Sequence, residues 1–218
     1  MMANMADVPG DQETTRLIEK AARGDPHALG ALLDRHRGRL RRMVALRLDR
    51  RLQGRIDPSD VIQEACLDAA RRLPEYTDNP TMPFFLWLRY LTGQRLVDEH
   101  RRHLGAQARD AGREISLYRG ALPETTSAAL AAHLLGRLTS PSHAAIRAER
   151  KIRIQEALNS MDPIDREVLA LRHFEELSNG EAAAVLGLDK SAASKRYARA
   201  LIRLKDILVS TTGGLSEG

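Results

Sequence analysis

A single cysteine, Cys66, leaves no second thiol in the chain, so neither an internal disulfide nor a cysteine-based zinc site can be built, and a reducing compartment is expected. Long apolar runs are missing too. Nothing approaches the roughly 18 uninterrupted apolar residues of a membrane span, and the opening MMANMADVPGDQE has neither the charged nor the apolar segment of a secretory signal. A cytoplasmic protein without membrane insertion is therefore expected. Alternation of period two is nowhere sustained, which argues against strands. No glycine-rich loop opens a helix to cradle phosphate and no nucleophile pairs with a base, so no enzyme, catalytic residue or cofactor is expected. His100 and His103 share one helix face at metal-ligand spacing, but no third ligand suggests itself, and no metal site is expected.

What is present is helical and basic. The 218 residues are 43% hydrophobic, enough apolar material for packed cores. Lys and Arg number 34 against 29 acids, a net charge of +5. Most of these cations are arginine, whose planar guanidinium suits phosphates and bases better than an ammonium does, so the balance favours a polyanionic partner. Asp25-Pro26, Asp57-Pro58, Ser140-Pro141 and Asp162-Pro163 each place an N-cap side chain before a proline suited to the first helical position, and each is expected to open a helix. Apolar residues then recur at three- and four-residue spacing, as in Leu29, Leu32 and Leu33, then Leu40, Val44 and Leu48. Between residues 105 and 145 glycines and prolines interrupt every incipient pattern, which predicts a linker with at most short helices. The expected fold is all-α: a disordered start (1–13), an N-terminal helical bundle (14–104), the linker (105–145), a C-terminal helix-turn-helix domain (146–209) and a disordered tail (210–218).

The C-terminal stretch LSNGEAAAVLGLDKSAASKRYARALIRLKDIL holds two helices. Ser178 with Glu181 three residues later forms a capping box, Gly187 tolerates the left-handed backbone of a tight turn, and Asp189 can cap the next helix. On that second helix Leu201 and Leu204, completed by Ala193 and Tyr197, are expected to face the core. Lys190, Ser194, Lys195, Arg196 and Arg199 project outward with no acid among them, a face that can enter a major groove. On residue pattern alone a solvated basic helix is the alternative.

In IDPSDVIQEACLDAARRL the inward stripe is Ile62, Ala65, Cys66, Ala69 and Leu73, leaving Asp60, Gln63, Glu64, Asp68 and Arg71 outside. An acidic, amide-bearing face does not seek DNA; it is either plain surface or a docking face for a basic protein. Aromatics are scarce, 4% of the chain, yet Tyr76, Phe84, Phe85, Trp87 and Tyr90 crowd together just before Arg95, Arg101 and Arg102. Rings beside arginines suit single-stranded nucleic acid, each stacked base contributing roughly 1–3 kcal/mol. Phe84, Trp87 and Leu88 follow helical spacing and are read as core, leaving Tyr76 and Tyr90 as the freer rings. From Arg35 to Arg55 nine arginines face the single acid Asp49, a run that is usually just solvated but here can extend a basic surface.

Taken in order along the chain, GDPHALGALLDRHRGRLRR, DPSDVIQEACLDAARRL, FFLWLRYLTGQRLVDEHRRH and the C-terminal helix pair resemble a sigma-70 family RNA polymerase sigma factor of the small extracytoplasmic-function (ECF) type. The resemblance implies a first domain that grips the clamp of core RNA polymerase through Asp60, Gln63, Glu64 and Asp68. It implies that the same domain opens the −10 element with Tyr76, Thr77, Asp78, Asn79, Tyr90 and Gln94, with Arg95, Arg101 and Arg102 near the strand backbone. It implies reading of the −35 duplex by Lys190, Ser191, Ser194, Lys195, Arg196 and Arg199, and an anti-sigma factor as a further partner. Gln94 stands where many relatives carry asparagine, preceded by an unusual Gly93, and the linker is longer than in the shortest relatives. The alternative is a stand-alone helix-turn-helix regulator, which leaves the acidic helix and the aromatic loop unexplained.

Overall fold

A computed structural model describes residues 9–49, 51–52, 54–104, 127–138 and 144–212. The described residues are helical and form no strand, so the fold is all-α. By their contacts, the described residues up to 44 and from 51 to 104 form one compact unit, and residues 45–49 with those from 127 onward form a second. Residues 1–8, 105–126 and 139–143 of the expected linker with its Ser140-Pro141 dipeptide, and 213–218 of the expected tail lie outside the described residues, while 210–212 of that tail are the end of a helix.

The first unit contains α1 (Pro9–Ala22), most of α2 (Pro26–Arg47), α3 (Pro58–Asp78) and α4 (Phe84–Leu104). Residues 9–13, expected to be disordered, are the first turn of α1. Asp25 accepts hydrogen bonds from the amides of His27 (2.9 Å) and Ala28 (3.2 Å), and Asp57 from that of Ser59 (2.8 Å), so both Asp-Pro pairs cap helices by satisfying donors the first turn leaves open. Ile62, Ala65, Cys66, Ala69 and Leu73 are all buried, and α3 lies along α4, whose Phe84, Leu88, Leu91 and Leu96 fill the other side. The arginine run is not merely solvated: the Arg39 guanidinium carbon sits 3.5 Å from the centre of the Phe85 ring, where the cation meets the ring's negative face.

The second unit contains α5 (Ser127–Leu138), α6 (Ala144–Asn159), α7 (Pro163–Leu169), a π turn (Ala170–Phe174), α8 (Asn179–Leu186) and α9 (Lys190–Thr212). Its core joins Leu130, Ala131 and Leu134 to Leu158, Met161, Leu169, Phe174, Ala200 and Leu204. α5 falls within the segment expected to be linker, yet it packs on α6 and its apolar face is part of this core. Residues 45–49 belong to the same unit, and in it Arg47 donates from Nε to Glu175 Oε1 at 3.0 Å and pairs also with Glu167. Burial opposes the charge on Arg47, but the two carboxylates outweigh it and hold the proton more tightly than on a free guanidinium.

Candidate protein-docking and nucleic-acid faces

The helix-turn-helix is built as its residues require. Ser178 Oγ accepts from the Glu181 amide at 3.2 Å while Glu181 Oε2 accepts from the Ser178 amide at 2.7 Å, closing the capping box. α8 ends at Gly187 with φ 64° and ψ 34°, the Leu188 amide reaches back to Ala183 O at 2.9 Å, and Asp189 Oδ1 accepts from the Ala192 amide at 2.8 Å to start α9. Asn179 Nδ2 donates across the turn to Lys190 O at 2.8 Å, fixing the two helices to each other. Any side chain placed at Gly187 would meet a left-handed backbone. Gly187→Val is expected to destabilise the second unit by about 2 kcal/mol, read as a lower urea midpoint in far-UV circular dichroism.

α9 buries Ala193, Ala200 and Leu204, with Tyr197 partly covered, but Leu201 is exposed, against the expectation that it joins the core. The reason is angular: at about 100° per residue, Ala193, Ala200 and Leu204 line up within one narrow stripe and Leu201 falls well to its side. Lys190, Ser191, Ser194, Lys195 and Arg199 are all exposed on the first turns of α9. Arg196 differs from them. Its side chain is only 26% exposed, and Nη1 donates to Asp165 Oδ1 at 2.8 Å with Asp162 Oδ2 3.7 Å away.

On α3 of the first unit, Asp60, Gln63 and Glu64 are exposed and share one side with Leu67, 53% exposed, and Arg71. Leu67 was missed by the sequence reading, which sorted the helix into an apolar inside and a polar outside; an apolar side chain amid outward acids is the signal that could have found it. Asp68 does not stand free beside them. It is half-buried and takes both Nε (2.6 Å) and Nη2 of Arg95, so the structure pairs a residue of the acidic face with one expected at the DNA strand. The hydrogen bond to Asp68 leads burial in setting the Arg95 proton affinity, which rises.

The ring expected to be free at the loop is not. Tyr76 is 6% exposed, stacks on Trp87 with centroids 4.7 Å apart, meets Phe84 edge-on at 5.5 Å and donates its hydroxyl to Met82 O at 2.9 Å. It braces the loop from within, because a phenol that finds a carbonyl for its tip can bury its ring at little polar cost. Residues 76–78, expected in a loop, are the last turn of α3: Asp78 and the capping Asn79 are exposed and Thr77 is half-buried, its hydroxyl donating to Pro74 O. On α4, Gln94 donates to the hydroxyl of half-buried Tyr90 at 2.7 Å, and exposed Arg101 and Arg102 lie near Asp98 and Glu99 one turn back. The structure thus brings Tyr90 and Gln94 together, and sets Arg101 and Arg102 in the last turn, where cations complement the helix dipole. Among the described residues no helix is long and apolar enough to cross a membrane.

Residues 11–208 match the family described as ECF sigma factor. The chain is 31% identical over 194 residues to the ECF RNA polymerase sigma factor SigD of Mycobacterium tuberculosis, a match covering 89% of this chain and 83% of that protein. To the RNA polymerase sigma factor CnrH of Cupriavidus metallidurans it is 27% identical over 194 residues, covering 88% and 92% of the two chains. The solved structure of CnrH in complex with the cytosolic domain of CnrY is similar with a TM-score of 0.52 at 25% identity, covering 91% of this chain and 98% of that one. A match across nearly the whole length, carried by an all-α fold with a capped helix-turn-helix, places the chain in the ECF sigma factor family, whose members direct transcription by RNA polymerase.

Proposed function

We propose that the outward side of α3, with Asp60, Gln63 and Glu64 and the flank provided by Asp68, docks on the clamp of core RNA polymerase in the cytoplasm. The last turn of α3 with the loop that follows it, Tyr76 to Met82, and the face of α4 then hold the opened −10 strand: Thr77, Asp78 and Asn79 present polar groups, Tyr90 and Gln94 form one small platform, and Arg101 and Arg102 meet phosphates, with Arg95 behind them on Asp68. α9 reads the −35 duplex through Lys190, Ser191, Ser194, Lys195, Arg196 and Arg199. The observation that carries this reading is the acid-free, solvent-facing start of α9 behind a fully capped turn, a surface of small and cationic side chains that fits a major groove. An anti-sigma protein belongs to the same reading, supported by the similarity to CnrH, which was solved with the cytosolic domain of CnrY.

Run-off transcription with purified core enzyme on a promoter library tests the whole: promoter-specific transcripts that require this chain support it, and duplex binding with no effect on polymerase favours a stand-alone regulator. Within it, Lys195→Ala with Arg199→Ala is expected to flatten the plot of log affinity against log salt by about 1.8, two phosphate contacts at about 0.9 each. Holoenzyme binding to a promoter duplex between low and moderate salt measures this.

A further inference from the structure

Arg196 is held at one corner and open at the other. Of its donors only Nη1 is engaged, by Asp165 at 2.8 Å and more distantly by Asp162 at 3.7 Å, while Nε and Nη2, which form the other edge of the guanidinium fork, meet no acceptor among the described residues. Arg95 in the first unit is the contrast: both its Nε and its Nη2 lie on Asp68, so that edge is spent. The two acids that hold Arg196 are themselves fixed. Asp162 caps α7 by accepting from the Ile164 amide at 2.8 Å, and Asp165, in the first turn of that helix, has a side chain only 17% exposed. α7 packs along α9, so the carboxylates are anchored to the same scaffold that carries the arginine.

A free arginine on a helix surface surrenders much of its rotamer freedom when it grips a target, and it grips a phosphate as readily as a base. One already clamped through Nη1 has less freedom to lose, and its Nε–Nη2 edge keeps a fixed direction. Two parallel N–H groups in a fixed plane match two acceptors side by side, which in the major groove is the O6 and N7 edge of guanine. We propose that Asp165, assisted by Asp162, is a specificity-determining positioning residue that aims the free edge of Arg196 at a guanine of the −35 element. This rests on the −35 reading given above for α9. Asp165 itself touches no base; it acts through Arg196.

The test is selection of −35 sequences from a randomised promoter library by holoenzyme reconstituted with the full chain, wild type against Asp165→Asn, Asp162→Asn, Asp165→Glu and Arg196→Ala. Wild type is expected to select guanine at one −35 position, and Arg196→Ala to lose that preference. Asp165→Asn is expected to reduce it at least about 5-fold there, within the 1–3 kcal/mol that a bidentate arginine–guanine pair contributes, while leaving the other positions unchanged. Asp165→Glu restores part of it, and Asp162→Asn, which keeps a capping side chain, gives a smaller loss at the same position. The proposal is overturned if Asp165→Asn keeps the wild-type preference while Arg196→Ala loses it, if Asp165→Asn weakens every position alike as a merely structural change would, or if Arg196→Ala keeps the guanine. Selection of no −35 sequence by the wild type overturns the reading of α9 as well; selection of one that ignores Asp165 overturns only this inference.

Discussion

Asp60→Lys combined with Glu64→Lys is expected to weaken association with core RNA polymerase by about 100-fold, near 3 kcal/mol, and to abolish transcription directed by this chain at limiting polymerase. Both residues are exposed one turn apart on α3, beside exposed Gln63 and Leu67. Each alone is a surface carboxylate of small intrinsic stability, so the change costs the fold little. At an interface it does more, since each reversal removes an attraction and sets two like charges opposite one another, a juxtaposition that costs several kcal/mol where water is excluded. α9 carries none of the altered residues, so duplex binding through Lys195 and Arg199 is expected to be untouched. Titrating labelled chain against core enzyme, alongside duplex binding of the same variant, separates the two effects. A double lysine variant that still associates and transcribes at the wild-type level would falsify the docking assignment for α3.

The elements that follow from local chemistry were legible without coordinates. The stripe from Ile62 to Leu73 needs only a 3.6-residue period, and the turn at Gly187 needs only a cap, a glycine and a second cap. α5 was not legible as part of the second core. A short stretch of small and apolar residues such as SAALAAHLL gains its helix from tertiary burial rather than propensity, and the helix it packs on begins at Ala144. The residue types of the faces could be read, but their state could not: Arg95 meets Asp68 across 27 positions and Arg196 meets Asp165 across 31, and pairings at that separation exist only once helices pack. Tyr76 failed for the same reason, its hydroxyl being satisfied by a carbonyl in a loop whose path the sequence does not encode in any local pattern. The site is therefore sharper than its residue list, since it separates cations already committed to an acid from those facing solvent.

On α9 that separation depends on the second unit being rigid, and a sensitive point of its core is Phe174, which is 1% exposed at the end of the π turn leading from α7 toward α8. Its ring touches a core shared by α5, α6, α7 and α9, and stacks edge-on with His173 at 5.2 Å. Phe174→Ala removes that volume where four helices meet, and partial collapse cannot refill it, so the expected destabilisation of the unit is about 3–5 kcal/mol. For a domain of ordinary stability, about 5–15 kcal/mol, this is a large fraction of what holds α8 and α9 in register. The chain offers a convenient readout because its one tryptophan, Trp87, lies in the first unit. Urea titration followed by far-UV circular dichroism is expected to show an early loss of helix in the variant, ahead of the change in tryptophan fluorescence. The same variant should associate with core polymerase yet lose dependence on the −35 element, because α3 keeps its surface while the carboxylates of α7 and the cations of α9 no longer share a fixed frame. Coincident wild-type transitions by both probes in Phe174→Ala would contradict the role given to that ring.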